Sequence, residues 1–253
     1  MNVAFIVGTA GSGKSALTDA LVRWFRSEGQ NVISVNLDPA VLDLPYRPEV
    51  DVRDHVVADD LMRKYKLGPN AAIIMASDLV ADRIGLVKED MEEYRADLAI
   101  VDTPGQMEVF AFRESGAFIA REITKDLRLV VYLFDAPFSR NPFNFISSVL
   151  LAAAVHNRFL LPQLYTLSKL DLVGKSELER ILDWSEDAAL LEEAVETQIS
   201  GPQRVMMREI LHVLSSAEIF STPIPTSAET NEGIIDLAGA ILRVFTSGEK
   251  YEV

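Results

Sequence analysis

The 253-residue chain contains no cysteine. That single absence excludes disulfides, zinc–thiolate and iron–sulfur sites, and thiol nucleophiles. Its three histidines, His55, His156 and His212, are far apart in sequence and read as surface or satisfied core residues, not as a metal-ligand set. Positive charge is scarce, with 24 Lys and Arg against 38 Asp and Glu and a net charge of −14. A surface of that sign repels phosphate backbones and anionic lipids, so neither direct nucleic-acid binding nor membrane binding is expected. A small basic pocket for a nucleotide remains compatible with it. Long apolar runs are missing too. The most apolar stretch, "FNFISSVLLAAAV" (143–155), carries Asn144, Ser147 and Ser148 and suits a buried or interface helix better than a membrane span. The opening "MNVAFIVG" lacks the basic start and the length of a signal peptide. There are no fixed-period repeats, low-complexity tracts or Pro/Gly/Ser-rich linkers. These absences leave one domain over 1–253, expected in the cytoplasm.

What is present is a rhythm. Strand-like runs recur at 3–7, 31–37, 97–102, 127–135, 163–168 and 217–225, rich in Val, Ile, Leu and aromatics with little polar alternation. Strands buried on both faces have this composition. Helical segments separate them, at 14–28, 51–66, 71–83, 87–94, 107–124, 141–158, 176–196, 202–215 and 231–246. The alternation predicts a three-layer α/β/α fold with a mostly parallel sheet. Two regions exceed a minimal crossover and read as helical insertions, 39–96 and 173–216.

"GTAGSGKS" (8–15) matches G-x-x-x-x-G-K-[ST] after a buried strand and at the start of a helix, the context this phosphate-binding motif requires. Gly8, Gly11 and Gly13 let the backbone, with Thr9, Ala10 and Ser12 between them, curl its N–H groups inward. The helix N-terminus, with Ala16 in its first turn, adds partial positive charge. Lys14 is placed to reach the β- and γ-phosphates, and the Ser15 hydroxyl to ligate Mg²⁺. The fold expected is therefore that of a P-loop NTPase.

Two aspartates close predicted strands. Asp102 opens "DTPGQ" (102–106), where a carboxylate after a buried strand holds Mg²⁺ through water. Gly105 can offer its N–H to the γ-phosphate, and the Gln106 amide can orient the attacking water. Asp38, before Pro39, is placed to reach the metal shell or that water; Glu108 is a weaker candidate in the same cluster. Both strand ends also suit simple turns.

"SKLD" (168–171) follows another strand and fits the guanine-reading pattern K-x-D, with Ser168 where Asn is usual. A carboxylate at Asp171 can accept from guanine N1–H and its 2-amino group together, whereas adenine leaves that charge unpaired. The Lys169 stem can cover the ring. "TSA" (226–228) places Ser227 and Ala228 at the short element whose backbone N–H contacts guanine O6 in many GTPases.

These ordered motifs resemble those of P-loop GTPases, and Gly68-Pro69-Asn70 sharpens the resemblance to the GPN-loop GTPases, archaeal-type homodimeric members in particular. Asp38 in "NLDPA" matches that family's second motif. The resemblance implies Mg²⁺-dependent GTP hydrolysis by a homodimer in which Asn70 of one subunit reaches the phosphates of the other. It also implies a link to RNA polymerase assembly through an unidentified protein client. No lysine stands early in the P-loop, at Thr9 or Ala10, to reach across the dimer, so slow intrinsic turnover is expected. Hydrolysis would then act as a switch; the alternatives are a nucleotide-gated assembly factor whose turnover is incidental, or an ATPase that borrows K-x-D. Read locally, Gly68-Pro69-Asn70 is also a turn: Gly68 ending a helix in a left-handed conformation, Pro69 blocking it, and Asn70 capping the next.

Overall fold

The computed structural model describes residues 1–216 and 222–246. Strands β1 (Asn2–Gly8), β2 (Val32–Asn36), β3 (Val50–Asp51), β4 (Leu98–Asp102), β5 (Arg128–Asp135), β6 (Gln163–Ser168) and β7 (Ile224–Pro225) form one parallel sheet in the order β3-β2-β4-β1-β5-β6-β7. Successive residues of β1 show why both faces are covered. Val3, Phe5 and Val7 join one core and Ala4 and Ile6 the other, so a period of two buries apolar side chains each way.

The smaller core lies under α1 (Lys14–Ser27), whose Leu17, Leu21 and Phe25 fall on one helical stripe. The helices of the opposite face follow in chain order. The insertion after β3 carries α2 (Ala58–Tyr65), α3 (Pro69–Asp82) and α4 (Ile84–Glu93). Next come α5 (Met107–Ala111), α6 (Glu114–Glu122), the short α7 (Ala136–Ser139) and α8 (Pro142–Phe159). The second insertion forms α9 (Lys175–Glu186), α10 (Ala188–Glu196) and α11 (Pro202–Ser216). Finally α12 (Ile234–Thr246) returns beside α1, with Leu237 and Ile241 in the smaller core.

Several expected elements are divided. The expected helix 51–66 begins instead as β3, passes through a 3₁₀ turn at Val52–Asp54 and becomes helical only at α2. Asp51 accepts the Arg53 N–H at 3.0 Å, which turns the chain out of the strand. The expected helix 107–124 breaks at Arg113, which is extended (φ −97°, ψ 154°), into α5 and α6. The two halves pack so closely that a Cβ on Gly116 would lie 1.7 Å from the Phe110 carbonyl oxygen. The expected helix 176–196 breaks at Asp187, whose carboxylate accepts the Ala189 N–H at 2.8 Å and caps α10. Of the expected strand 217–225, Ile224–Pro225 form β7, Thr222 and Pro223 are irregular, and 217–221 lie outside the described residues.

The Gly68-Pro69-Asn70 turn is built differently from the local reading. Lys66, not Gly68, takes the left-handed conformation after α2 (φ 54°). Gly68 is extended (φ −71°, ψ 162°) and precedes α3, and Pro69 opens that helix. Proline suits a first helical position because its missing N–H has no partner to lose there. Asn70 therefore sits inside the first turn, exposed, and the helix start has no side-chain cap.

Candidate functional site

Because the sheet is parallel, the loops after β1, β2, β4, β5, β6 and β7 all open at its carboxyl edge, where α/β folds place ligands. After β1 the chain curls through Gly11 and Gly13, both left-handed (φ 74° and 94°). Gly13 leads directly into α1, so the helix N-terminus faces the loop. Lys14 is buried, and its ammonium donates to the Gly8 and Thr9 carbonyls at 3.1 and 3.0 Å, with a longer contact to the Gly105 carbonyl at 3.5 Å. Burial lowers its pKa, opposed by the charges of Asp102 and Asp38.

Asp102 ends β4 and is buried. Burial pushes its carboxyl up to about 6, against the Ser15 hydroxyl, the Tyr46 hydroxyl and the Lys14 charge, which favour the anion. The Tyr46 hydroxyl donates to Asp102 Oδ2 at 3.1 Å, while Oδ1 is buried with no partner among the described residues. An unpartnered carboxylate oxygen beside a serine hydroxyl is a hard oxygen donor set and fits Mg²⁺, which keeps waters and phosphate oxygens in its shell. Among the described residues no three His, Asp or Glu side chains gather for an all-protein metal cage. Asp38 accepts the Gly105 N–H on Oδ2 at 2.8 Å and the Ala40 N–H on Oδ1 at 2.9 Å. The Gly105 N–H expected at a phosphate is thus directed at Asp38.

Gly11, Gly13, Lys14, Ser15, Ala16, Asp38, Asp102 and Gly105 line one cavity of about 370 Å³. A second, of about 300 Å³, is lined by Lys169, Asp171, Leu172, Thr226 and Ala228 and shares Gly13, Ala16 and Pro45 with the first. The two form one bipartite groove, phosphate-sized at one end and base-sized at the other. A larger open cavity of about 1000 Å³ lies beside it, between α1 and residues 42–54. Its Arg26 and Arg53 are paired with Glu49 and Asp51, and it holds none of the motif residues.

The base end is braced from behind. Ser168 donates to the Ser12 carbonyl at 2.7 Å, tying β6 to the phosphate loop in the position where Asn is usual. Lys169 is left-handed (φ 61°) and its ammonium meets Asp135 Oδ2 at 2.7 Å. Ser227 is fully buried and donates to Asp171 Oδ1 at 2.5 Å, leaving Oδ2 for a ligand. Thr226 is locked to β6, donating its N–H to the Leu167 carbonyl at 2.8 Å.

Gln106, Glu108 and Asn70 are not brought into this groove. Gln106 is exposed at the start of α5, Glu108 is exposed two residues on, and Asn70 is exposed at the tip of α3. Sequence reasoning missed Tyr46 and Asp135. Tyr46 lies in an irregular loop with no periodicity to place it. Asp135 does end a strand, which is the signal that could have found it.

A family model described as "Conserved hypothetical ATP binding protein" matches residues 6–247. A GPN-loop GTPase of Arabidopsis thaliana is 35% identical over 77% of this chain and 52% of its own. A GPN-loop GTPase of Pyrococcus abyssi is 32% identical over 93% of this chain and 94% of its own. The apo crystal structure of a Pyrococcus abyssi GTPase superposes with a TM-score of 0.85 at 29% identity, covering 97% of this chain and 98% of that one. This chain spans about half the length of the Arabidopsis relative and of a GPN-loop GTPase of Saccharomyces cerevisiae (51%). With Gly68-Pro69-Asn70 in place and a relative matched nearly end to end, the chain belongs to the GPN-loop GTPase family.

Proposed function

We propose that this chain binds GTP along the bipartite groove and hydrolyses it to GDP and phosphate, with Mg²⁺, as a cytoplasmic homodimer that works as a switch. The observation that carries the reading is the continuity of the phosphate and base cavities through Gly13, Ala16 and Pro45, with Lys14 at one end and Asp171 at the other. The family model's description says ATP, whereas the relatives' names say GTPase. Asp171 favours guanine: Oδ2 is left to accept from the base, Oδ1 can accept a second proton beside the Ser227 hydroxyl, and guanine offers the N1–H and 2-amino pair where adenine offers none.

In this reading Lys14 turns from the Gly8 and Thr9 carbonyls to the phosphates, and the P-loop N–H groups wrap them. Ser15, Asp102 and Asp38 would hold Mg²⁺, which would supply charge neutralisation at the phosphate oxygens when bound. Asp38 orients the attacking water from within the groove, and Gln106, exposed at the start of α5, joins it by turning inward once nucleotide is bound. Ala228 offers its N–H to guanine O6, and Lys169 covers the ring. Asn70, which does not line this chain's own groove, serves the groove of a second copy. The client remains a protein linked to RNA polymerase assembly by family resemblance alone. The outward apolar residues of α11, Val205, Met206 and Val213, favour a second reading as a nucleotide-gated assembly factor.

Competition of GTP, ATP and XTP against a fluorescent GDP tests the base. Wild type should prefer GTP, and Asp171→Asn should shift the preference to XTP, because the amide swap mirrors the change in the base. An Asp171→Asn protein with unaltered GTP preference removes the assignment.

A further inference from the structure

Asp135 belongs to none of the phosphate- or guanine-reading motifs, yet the base end of the groove is built on it. It closes β5 and lies in register with Ser168 of β6, so the loop after β5 runs beside the one carrying Lys169. Its two oxygens have separate tasks. Oδ1 accepts the Phe138 N–H at 2.9 Å and starts α7, while Oδ2 takes the Lys169 ammonium at 2.7 Å. The ion pair is sheltered, Asp135 being 16% and Lys169 31% exposed. Charge-assisted bonds of this length hold a side chain in one place.

That hold matters because of where the Lys169 stem lies. A Cβ built on Gly13 would stand 3.8 Å from Lys169 Cε and 4.0 Å from its Cγ, so the methylenes run alongside the phosphate loop and wall the base cavity. Lys169 itself is left-handed, a conformation L residues disfavour, and its stem is long and flexible. Without a fixed anion at its far end, the ammonium is free to swing to solvent or to the phosphates, and the stem leaves the wall. Lys169 is thus held at both ends: by its backbone, where Leu170 N–H bonds the Thr226 carbonyl at 3.1 Å, and by Asp135 at its tip.

We propose that Asp135 is a positioning residue for purine recognition, anchoring the Lys169 ammonium so that its methylene stem packs on the base of a bound guanine nucleotide. This rests on the guanine-site reading of Lys169 and Asp171. Asp135 touches no part of the nucleotide; it acts through Lys169, and it acts on the base and not on the phosphates.

The test uses the full chain. The affinities of a fluorescent GDP and of inorganic tripolyphosphate are measured for wild type, Asp135→Asn, Lys169→Met, the double variant and Asp171→Asn, with thermal unfolding as a folding control. Asp135→Asn keeps an acceptor for the α7 start and removes the ionic anchor. It should weaken GDP about tenfold and leave tripolyphosphate within about twofold. Lys169→Met keeps a stem and removes the ammonium; it should weaken GDP comparably, and the double variant should be no worse than Lys169→Met alone. The proposal is overturned if Asp135→Asn weakens GDP and tripolyphosphate equally, if the two losses multiply in the double variant, or if GDP affinity is unchanged in Asp135→Asn while Asp171→Asn loses it. Unchanged GDP affinity in Asp171→Asn overturns the guanine-site reading itself, and the proposal with it. Should Asp135→Asn unfold, Lys169→Met probes the same ion pair from its other end: loss of GDP without loss of tripolyphosphate supports the anchor, and unchanged GDP overturns it.

Discussion

Asp38 Oδ2 accepts the backbone N–H of Gly105 at 2.8 Å, so the turn after β2 and the turn after β4 hold each other across the phosphate cavity. A bound γ-phosphate would compete with Asp38 for that N–H, because both are anionic acceptors. Asp38→Ala removes the competitor, and with it a negative charge close to Lys14. Without Mg²⁺, GTP affinity should hold or tighten, while single-turnover phosphate release with Mg²⁺ slows about 10²-fold through loss of water positioning and of a carboxylate in the metal shell. Gln106→Ala should slow release in the same way, with affinity unchanged. Parallel losses of binding and turnover in either variant would assign the residue to substrate binding instead.

Ser168 gives its hydroxyl to the Ser12 carbonyl at 2.7 Å and also lies 3.1 Å from the Phe134 carbonyl. Ser168→Ala removes the single hydroxyl proton that the buried Ser12 carbonyl takes and unties β6 from the phosphate loop. Stability should fall by about 1–3 kcal/mol in urea unfolding. GDP and tripolyphosphate should both bind more weakly, since the tie fixes the loop and not the base. A loss confined to GDP would mean that the serine acts on base recognition alone.

Tyr46 donates to Asp102 from a loop that also lines the groove through Leu44 and Pro45. Burial and the neighbouring Asp102 charge raise the phenol pKa, so the hydroxyl keeps its proton and remains a donor. Tyr46→Phe takes the hydroxyl donor from Oδ2 of a buried carboxylate whose Oδ1 already lacks a partner among the described residues. The cost should be about 1.5–3 kcal/mol near neutral pH, the range for hydrogen bonds to charged groups. Urea unfolding of the two proteins measures it, and a difference below about 0.5 kcal/mol would mean that the loop is held by its apolar contacts.

The parts of the site that were legible in sequence are those whose chemistry is local. Strand, glycines, Lys14 and Ser15 follow one another in the chain, and a buried run ending in Asp102 announces a strand edge. Parallel strand order then brings Asp38, Asp102 and Asp171 to one edge, as their positions after predicted strands implied. What sequence did not disclose depends on side chains meeting across loops. Tyr46 and Asp102 are 56 residues apart, and Lys169 and Asp135 are 34 apart. The helix breaks at Arg113 and Asp187 were hidden for another reason: apolar periodicity continues through both while the backbone turns. Packing of Gly116 on Phe110 and capping by Asp187 decide those breaks, and neither is a periodic signal.

Asn70 is where local and family readings part. As a helix cap it would bond a backbone N–H of α3, and its loss would cost about 1 kcal/mol. Instead it lies within the first turn, behind Gly68 and Pro69, with its side chain exposed. Asn70→Ala should therefore leave thermal stability within about 0.5 kcal/mol, the usual range for an exposed position, or raise it slightly through alanine's helix propensity. If the side chain serves a second copy's phosphates, the same variant should slow GTP hydrolysis without weakening GTP binding. Mixing it with a P-loop variant, Lys14→Ala, then gives a direct assay. Mixed dimers place the intact Lys14 groove opposite the intact Asn70, so activity should reappear on mixing two proteins that are each slow alone. Failure to recover activity, with mixed dimers verified by light scattering and tag pull-down, would show that Asn70 does not act across subunits.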